Sequence, residues 1–131
     1  MTLRNISIVL MLVLSSGSVL ATDFKVYNRS SIKNVGYALI HGGIGSSKWA
    51  WVGQGNWKYA SSGLSQLLGI WIEYWTSNER GGVAYYYVDV SGLKIPVVRV
   101  GVSIDIGDNG ELVVAGKPVK AQQMEKPKFV Q

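Results

Sequence analysis

The sequence contains no cysteine, a single histidine and only three prolines among its 131 residues. Without cysteine there is no disulfide and no lipid-modified cysteine, so an exported fold of this size must be held together by packing. With His41 as its one histidine, the chain lacks the ligands from which zinc sites are built. It also lacks the Gly-x-Ser-x-Gly turn that carries a hydrolase nucleophile. We therefore expect no cofactor and no metal ion.

A hydrophobic stretch from Ile6 to Leu14 follows the basic residue Arg4, and Ala21 offers a small residue at a cleavage point. This order is typical of a secretory signal peptide. The stretch is about half of the roughly 20 apolar residues that a transmembrane helix needs. We therefore predict a signal peptide over 1–21 and a secreted or periplasmic location. A single β domain over 22–116 and a mobile basic tail over 117–131 complete the predicted organisation.

Clusters of glycine, serine and asparagine recur every eight to twelve residues or so, and valine, isoleucine, tyrosine and tryptophan are frequent between them. This spacing predicts an all-β fold, a small antiparallel β-sandwich or barrel. The predicted strands are Phe24–Tyr27, Val35–His41, Lys48–Val52, Asn56–Ala60, Ile70–Trp75, Val83–Val90, Val98–Ile106 and Leu112–Ala115. A helical turn is expected only over Ser61–Leu68.

Two hairpins are predicted from their turn residues. One joins Lys48–Val52 to Asn56–Ala60 through Gly53-Gln54-Gly55. The other joins Val98–Ile106 to the strand that follows it, because Asp108-Asn109-Gly110 contains residues that tolerate a positive φ.

All five tryptophans lie between Trp49 and Trp75. Strand periodicity places Trp71, Glu73 and Trp75 on one face, and Tyr85, Tyr87 and Asp89 on one face of the next strand. If those strands pair, one sheet face carries both sets. The hairpin arms likewise group Trp49 with Trp51, and Trp57 with Tyr59. The candidate ligand-binding residues are Trp49, Trp51, Trp57, Trp71, Glu73, Trp75, Tyr85, Tyr87 and Asp89.

Two interpretations of these rings are open, since aromatic cross-strand pairs also stabilise sheets without any ligand. A carboxylate such as Glu73 between two tryptophans is unfavourable in a dry core, so we expect that face to be partly open. Aromatic rings stack on sugars, and tyrosine and tryptophan also favour lipid interfaces. We predict an exported, non-catalytic protein, lectin-like or toxin-like, that binds a glycan or an anionic membrane surface.

The net charge of +5, which falls to +4 without Arg4, agrees with an anionic partner. The lysines are scattered, so no specific nucleic-acid site is predicted.

Other functions remain as alternatives. An inhibitor or immunity-type protein would use the aromatic patch against a protein target. A glycan hydrolase would need a carboxylate pair drawn from Glu73, Glu79, Asp89 and Asp105, and the spacing selects none. The segment 105–111 resembles a calcium loop, but Gly107 stands where that loop has an acidic residue. Asn28-Arg29-Ser30 forms an N-glycosylation triplet, which matters only in a eukaryotic source.

Overall fold

The computed structural model describes residues 23–42, 45–46, 48–61, 66–75, 83–95 and 101–128. The predicted signal peptide, Glu79 and the first residues of the predicted strand Val98–Ile106 lie outside these ranges. So does the middle of the predicted helical turn, whose ends belong to strands. In the described part of the chain, no helix is long and apolar enough to cross a membrane.

The described residues form eleven strands. They are β1 (Asp23–Asn28), β2 (Asn34–His41), β3 (Gly45–Ser46), β4 (Ala50–Gly53), β5 (Trp57–Ser61), β6 (Leu67–Tyr74), β7 (Ala84–Asp89), β8 (Val102–Ile106), β9 (Glu111–Val114), β10 (Lys117–Lys120) and β11 (Gln122–Met124).

The strands build two sheets. One has the order β10-β9-β8-β1-β5, and the other has the order β11-β7-β6-β2-β3 with β4 also paired to β2. The β1–β8 pair is parallel, and the other pairs are antiparallel. The sheets pack face to face, which confirms the predicted all-β sandwich.

Every second side chain along the strands points inward and fills the space between the sheets. Phe24 and Val26 of β1 are at most 1% exposed, and Ile70 and Ile72 of β6 are fully buried. These side chains belong to one hydrophobic core, to which both sheets contribute. The intervening residues, such as Lys25 or Trp71, therefore point to the outer face of their sheet. Each sheet thus has an inner apolar face and an outer face on which a site can be built.

The first predicted hairpin is wrong. β4 pairs with β2 and β5 pairs with β1, so the two strands lie in different sheets. The turn between them has Gly55 at φ 76°, and the Asn56 N–H donates to the Gly53 carbonyl at 2.9 Å. Turn residues indicate that the chain changes direction, but the partners of the strands are decided elsewhere in the fold.

The second predicted hairpin is confirmed. Asn109 and Gly110 both adopt positive φ, at 55° and 81°, and the Glu111 N–H donates to the Asp108 carbonyl at 3.0 Å. This is the geometry of a two-residue turn whose twist matches the flanking strands.

The C-terminal segment is not the predicted tail. β10 extends the first sheet beside β9, and β11 extends the second beside β7. Ala121 lies between them, 1% exposed, and its N–H donates to the Gly110 carbonyl at 2.7 Å. Both strands lie at sheet edges, where polar and charged side chains are usual, and this explains their hydrophilic composition. The ordered domain therefore continues beyond residue 116.

Candidate functional site

The predicted aromatic surface lies on the outer face of the sheet that contains β6 and β7. The two strands pair, with Trp71 opposite Tyr87, Glu73 opposite Tyr85, and Gly69 opposite Asp89. Trp51 of β4 and Trp49, which directly precedes β4, join them. We call the rings of this face the tryptophan cluster: Trp49, Trp51, Trp71, Trp75, Tyr85 and Tyr87.

The rings of the tryptophan cluster pack against each other and against the sheet. Trp51 and Trp75 meet edge to face with centroids 4.9 Å apart, and the centroids of Trp71 and Tyr87 are 4.8 Å apart. Trp51 lies directly on Gly36, where an added Cβ would collide with its ring. Tyr87 covers Gly69 in the same way. The glycines therefore let the rings lie flat on the sheet.

Glu73 does not keep this face open. Its side chain is fully buried, and Trp71 and Tyr85 are only 6% and 8% exposed. The expectation that this carboxylate marks an open surface was wrong, because rings lying flat over glycine cover more of the sheet than upright side chains would. The tryptophan cluster is thus largely a second, smaller hydrophobic core on the outside of the sheet.

The three candidate carboxylates that the structure describes, Glu73, Asp89 and Asp105, do not form a hydrolase pair. Asp89 is four residues along the sheet from the row of Glu73, about 13 Å at the strand rise. This exceeds the carboxyl separation of roughly 5–9.5 Å in glycosidases. Asp105 lies on the outer face of the other sheet, and Glu79 is outside the described residues. Asp89 accepts hydrogen bonds from Ser91, which lower its pKa.

Trp57 is separated from the other four tryptophans. It lies on β5, on the outer face of the other sheet, and is 43% exposed. Tyr59, two residues later, shares its face as predicted and is 63% exposed. These are the two exposed aromatic side chains among the described residues.

Three residues of β1 and its C-terminal turn complete this surface. Tyr27 pairs across the sheet with Trp57, and Lys25 pairs with Tyr59. We call the group the aromatic–cation face: Lys25, Tyr27, Arg29, Trp57 and Tyr59.

The aromatic–cation face is held by ring and cation contacts. The Trp57 and Tyr59 rings are perpendicular, at 89°, with centroids 4.9 Å apart. Lys25 Nζ lies 5.0 Å from the Trp57 centroid, within cation–π range. The Arg29 guanidinium lies 4.4 Å from the Tyr27 centroid, and its Nε donates to Asp105 Oδ1 at 2.7 Å. Apolar ring surface and charged hydrogen-bonding groups are therefore interleaved.

A row of outward side chains leads from this face across the whole sheet. The register aligns one residue from each strand: Trp57, Tyr27, Asp105, Val113 and Pro118. The far end of the row borders an open groove of about 510 Å³, whose lining includes Arg29, Asp105 and Lys120. The surface can accordingly accommodate an extended ligand laid across the strands.

The sequence did not indicate Lys25, Tyr27 and Arg29 as candidate site residues. The alternation of Lys25 and Tyr27 with Phe24 and Val26 does indicate an outward face for them. It does not indicate that β5, more than thirty residues later, pairs with β1 on that side.

Two further polar residues make contacts within the fold. Asn28 is fully buried, and its Nδ2 donates to the carbonyls of Ile32 and Val52, so the folded chain does not present it for glycosylation. Asp108 accepts hydrogen bonds from the Ser31 N–H and Oγ, which lower its pKa. Among the described residues, no group of acidic or histidine side chains is arranged to hold a metal ion.

No protein-family model matches this sequence, and no curated protein is significantly similar to it.

Proposed function

We propose that this protein is an exported, non-catalytic glycan-binding protein and that its binding surface is the aromatic–cation face. The observation that supports this proposal is the exposure of the large aromatic side chains Trp57 and Tyr59, 43% and 63%, on the outer face of the sheet. Large apolar side chains left in water on a monomeric domain often mark an interaction site. In the tryptophan cluster, in contrast, Trp71 and Tyr85 are buried and the other rings are partly buried against the second sheet.

The chemistry of the surface suits a sugar ring. A pyranose has an apolar C–H face, which stacks on an aromatic ring, and a rim of hydroxyl groups, which need donors and acceptors. Trp57 and Tyr59 supply the rings. Lys25, Arg29 and Asp105 supply charged partners, whose hydrogen bonds are stronger than those of neutral groups. An arrangement of this kind binds and orients a glycan without a reactive group.

A glycan fits this face better than a lipid bilayer does. The Arg29–Asp105 ion pair lies in the middle of the row, beside Tyr27. Moving that pair into the hydrocarbon layer of a membrane would remove water from both charges, which costs several kcal/mol per ion. A glycan leaves these groups hydrated or replaces the water with hydroxyl groups. The position of the ion pair therefore favours the sugar ligand.

Replacing Trp57 by alanine tests the proposal. We expect W57A to lose about 2 kcal/mol of binding free energy, roughly 30-fold in affinity, because a central aromatic contact is removed. The measurement is titration calorimetry against a panel of neutral and acidic oligosaccharides. M124A is the matched control, because Met124 is 48% exposed but lies on β11 of the other sheet. Equal affinities of W57A and the wild type, or no binding by the wild type to any member of the panel, would refute the proposal.

A further inference from the structure

We infer that the glycan is an acidic one, carrying carboxylate or sulfate groups, and that Lys25 is the residue that binds its anion. This inference rests on the proposed function, because it assigns the charge of the ligand to the same face. It is carried by the position of Lys25, by the pairing of the neighbouring charges and by the chemistry of an acidic sugar ring.

Lys25 is held in place over the aromatic rings. Its stem lies on the backbone of Gly101, where an added Cβ would be 2.8 Å from Lys25 Cγ. Its ammonium lies 5.0 Å from the centroid of Trp57 and 5.7 Å from that of Tyr59. Because these contacts already restrict the Lys25 side chain, less conformational entropy is lost when it binds a ligand. The cation is therefore positioned beside the surface on which a sugar would stack.

Lys25 also differs from Arg29 and Lys120 because it has no ion-pair partner among the described residues. Arg29 pairs with Asp105 at 2.7 Å, and Lys120 lies 4.0 Å from Glu111. In the described ranges, no carboxylate lies within 4.0 Å of Lys25 Nζ, although Asp23 is two residues earlier on the same strand. The ammonium has three N–H donors, and the two ring contacts leave at least one of them for another partner. An anion is the partner that complements them.

An acidic sugar can contact the aromatic rings and the Lys25 ammonium at the same time. When its C–H face lies on Trp57, a carboxylate or sulfate on its rim can reach the adjacent ammonium. Arg29 is 61% exposed, and with its Nε on Asp105 its terminal nitrogens can serve the next acidic sugar of a polymer. The net charge, +5 for the full chain and +4 without Arg4, adds long-range attraction for a polyanion. An acidic polysaccharide is thus the ligand that fits the charges and the rings together.

Paired probes separate the charge of the ligand from its shape. Oligogalacturonate and its methyl ester have the same backbone, and only the first is charged. We expect the wild type to bind oligogalacturonate at least tenfold more tightly than the ester, since a charge-assisted hydrogen bond is worth about 1.5 kcal/mol or more. K25Q should remove that preference and leave the affinity for the ester unchanged, whereas K25R should retain it.

The matched control is K58Q. Lys58 is exposed on β5 between Trp57 and Tyr59, but it pairs with the inward residue Val26, so it points away from the rings. The K58Q variant should bind both probes as the wild type does, and thermal unfolding should show that all variants are folded. Equal binding of acid and ester, with W57A weakening both, would overturn the inference and leave the proposed function standing. Equal losses in K58Q and K25Q would also overturn it, as would tighter binding to phosphatidylglycerol vesicles than to oligogalacturonate. No binding of either probe would overturn the inference, and no binding of any oligosaccharide of the panel would overturn the proposed function as well.

Discussion

At the scale of single residues, Tyr74 joins the two sheets. Its ring is 5% exposed on β6, and its hydroxyl reaches the β8–β9 turn in the other sheet. There it donates to the Gly107 carbonyl at 2.6 Å and accepts from the Gly110 N–H at 2.9 Å. The turn that presents one end of the groove is therefore held by a side chain from the opposite sheet.

Replacing Tyr74 by phenylalanine should destabilise the fold. Y74F keeps the ring but leaves a buried N–H and a carbonyl without their partner, which costs about 1–3 kcal/mol. Urea unfolding at neutral pH measures the free energy of unfolding. Y59F removes a hydroxyl from a residue that is 63% exposed, so it is the control and should stay within about 0.5 kcal/mol of the wild type. A Y74F midpoint equal to that of Y59F would contradict this role.

The loss of stability caused by Y74F should depend on pH. Burial raises the pKa of Tyr74 to about 12, with smaller contributions from Tyr86, Asp108 and Glu111. The unfolded chain has a tyrosine pKa of about 10, so the folded state holds this proton more tightly. The resulting stabilisation is complete below about pH 10 and is lost as the pH rises from about 10 to 12. The difference between wild type and Y74F should accordingly shrink over that range in urea titrations.

At the scale of elements, β10 and β11 close the sandwich. β10 covers the edge of β9 and β11 covers the edge of β7, so the last strands protect one edge of each sheet. Unprotected edges expose unpaired backbone groups and invite pairing with other chains. The segment that resembles a tail by composition is therefore an integral part of both sheets.

A chain that ends at Gly116 should lose cooperative folding or aggregate. The truncation removes both strands and the buried Ala121, and it leaves Gly110 without the Ala121 N–H. Circular dichroism during heating and size-exclusion chromatography measure the two effects. A chain that ends at Lys128 retains every described strand and is the matched control. A Gly116 chain as stable and monomeric as this control would show that the last strands are dispensable.

At the scale of the whole molecule, the two outer faces carry aromatic rings for different purposes. Outside the second sheet the rings cover Glu73 and Trp71, whose exposed fractions are 0% and 6%. Outside the first sheet, Trp57 and Tyr59 remain in water. The asymmetry makes one face a stabilising layer and the other the candidate binding surface.

Fluorescence quenching should report this asymmetry. Trp57 is 43% exposed, so W57F should remove the largest share of the emission that acrylamide quenches. W71F should leave the quenchable share almost unchanged, because Trp71 is buried in the tryptophan cluster. Stern–Volmer plots of both variants and the wild type measure the accessible fraction. If W71F lowered quenching more than W57F, the assignment of the two faces would be reversed.

Several features of the molecule were predictable because they depend on local periodicity. The alternation along β6, β7 and β8 predicted inward and outward faces, and the structure confirms them for Trp71, Glu73 and Tyr85. The positive φ at Asn109 and Gly110 followed from the turn residues. The prediction of a signal peptide over 1–21 stays a prediction, because those residues lie outside the described chain.

The amino-acid sequence by itself determined the all-β class, the strand faces and the need for a core without disulfides, since each depends on composition or on a repeat of two residues. Only the tertiary structure decided which strands are neighbours. It separated Trp57 from the other tryptophans, brought Lys25 and Tyr27 to it from β1, and buried Glu73. Strand pairing joins residues distant in sequence through backbone hydrogen bonds, which every residue but proline can make in full, so the side chains carry little record of their partners.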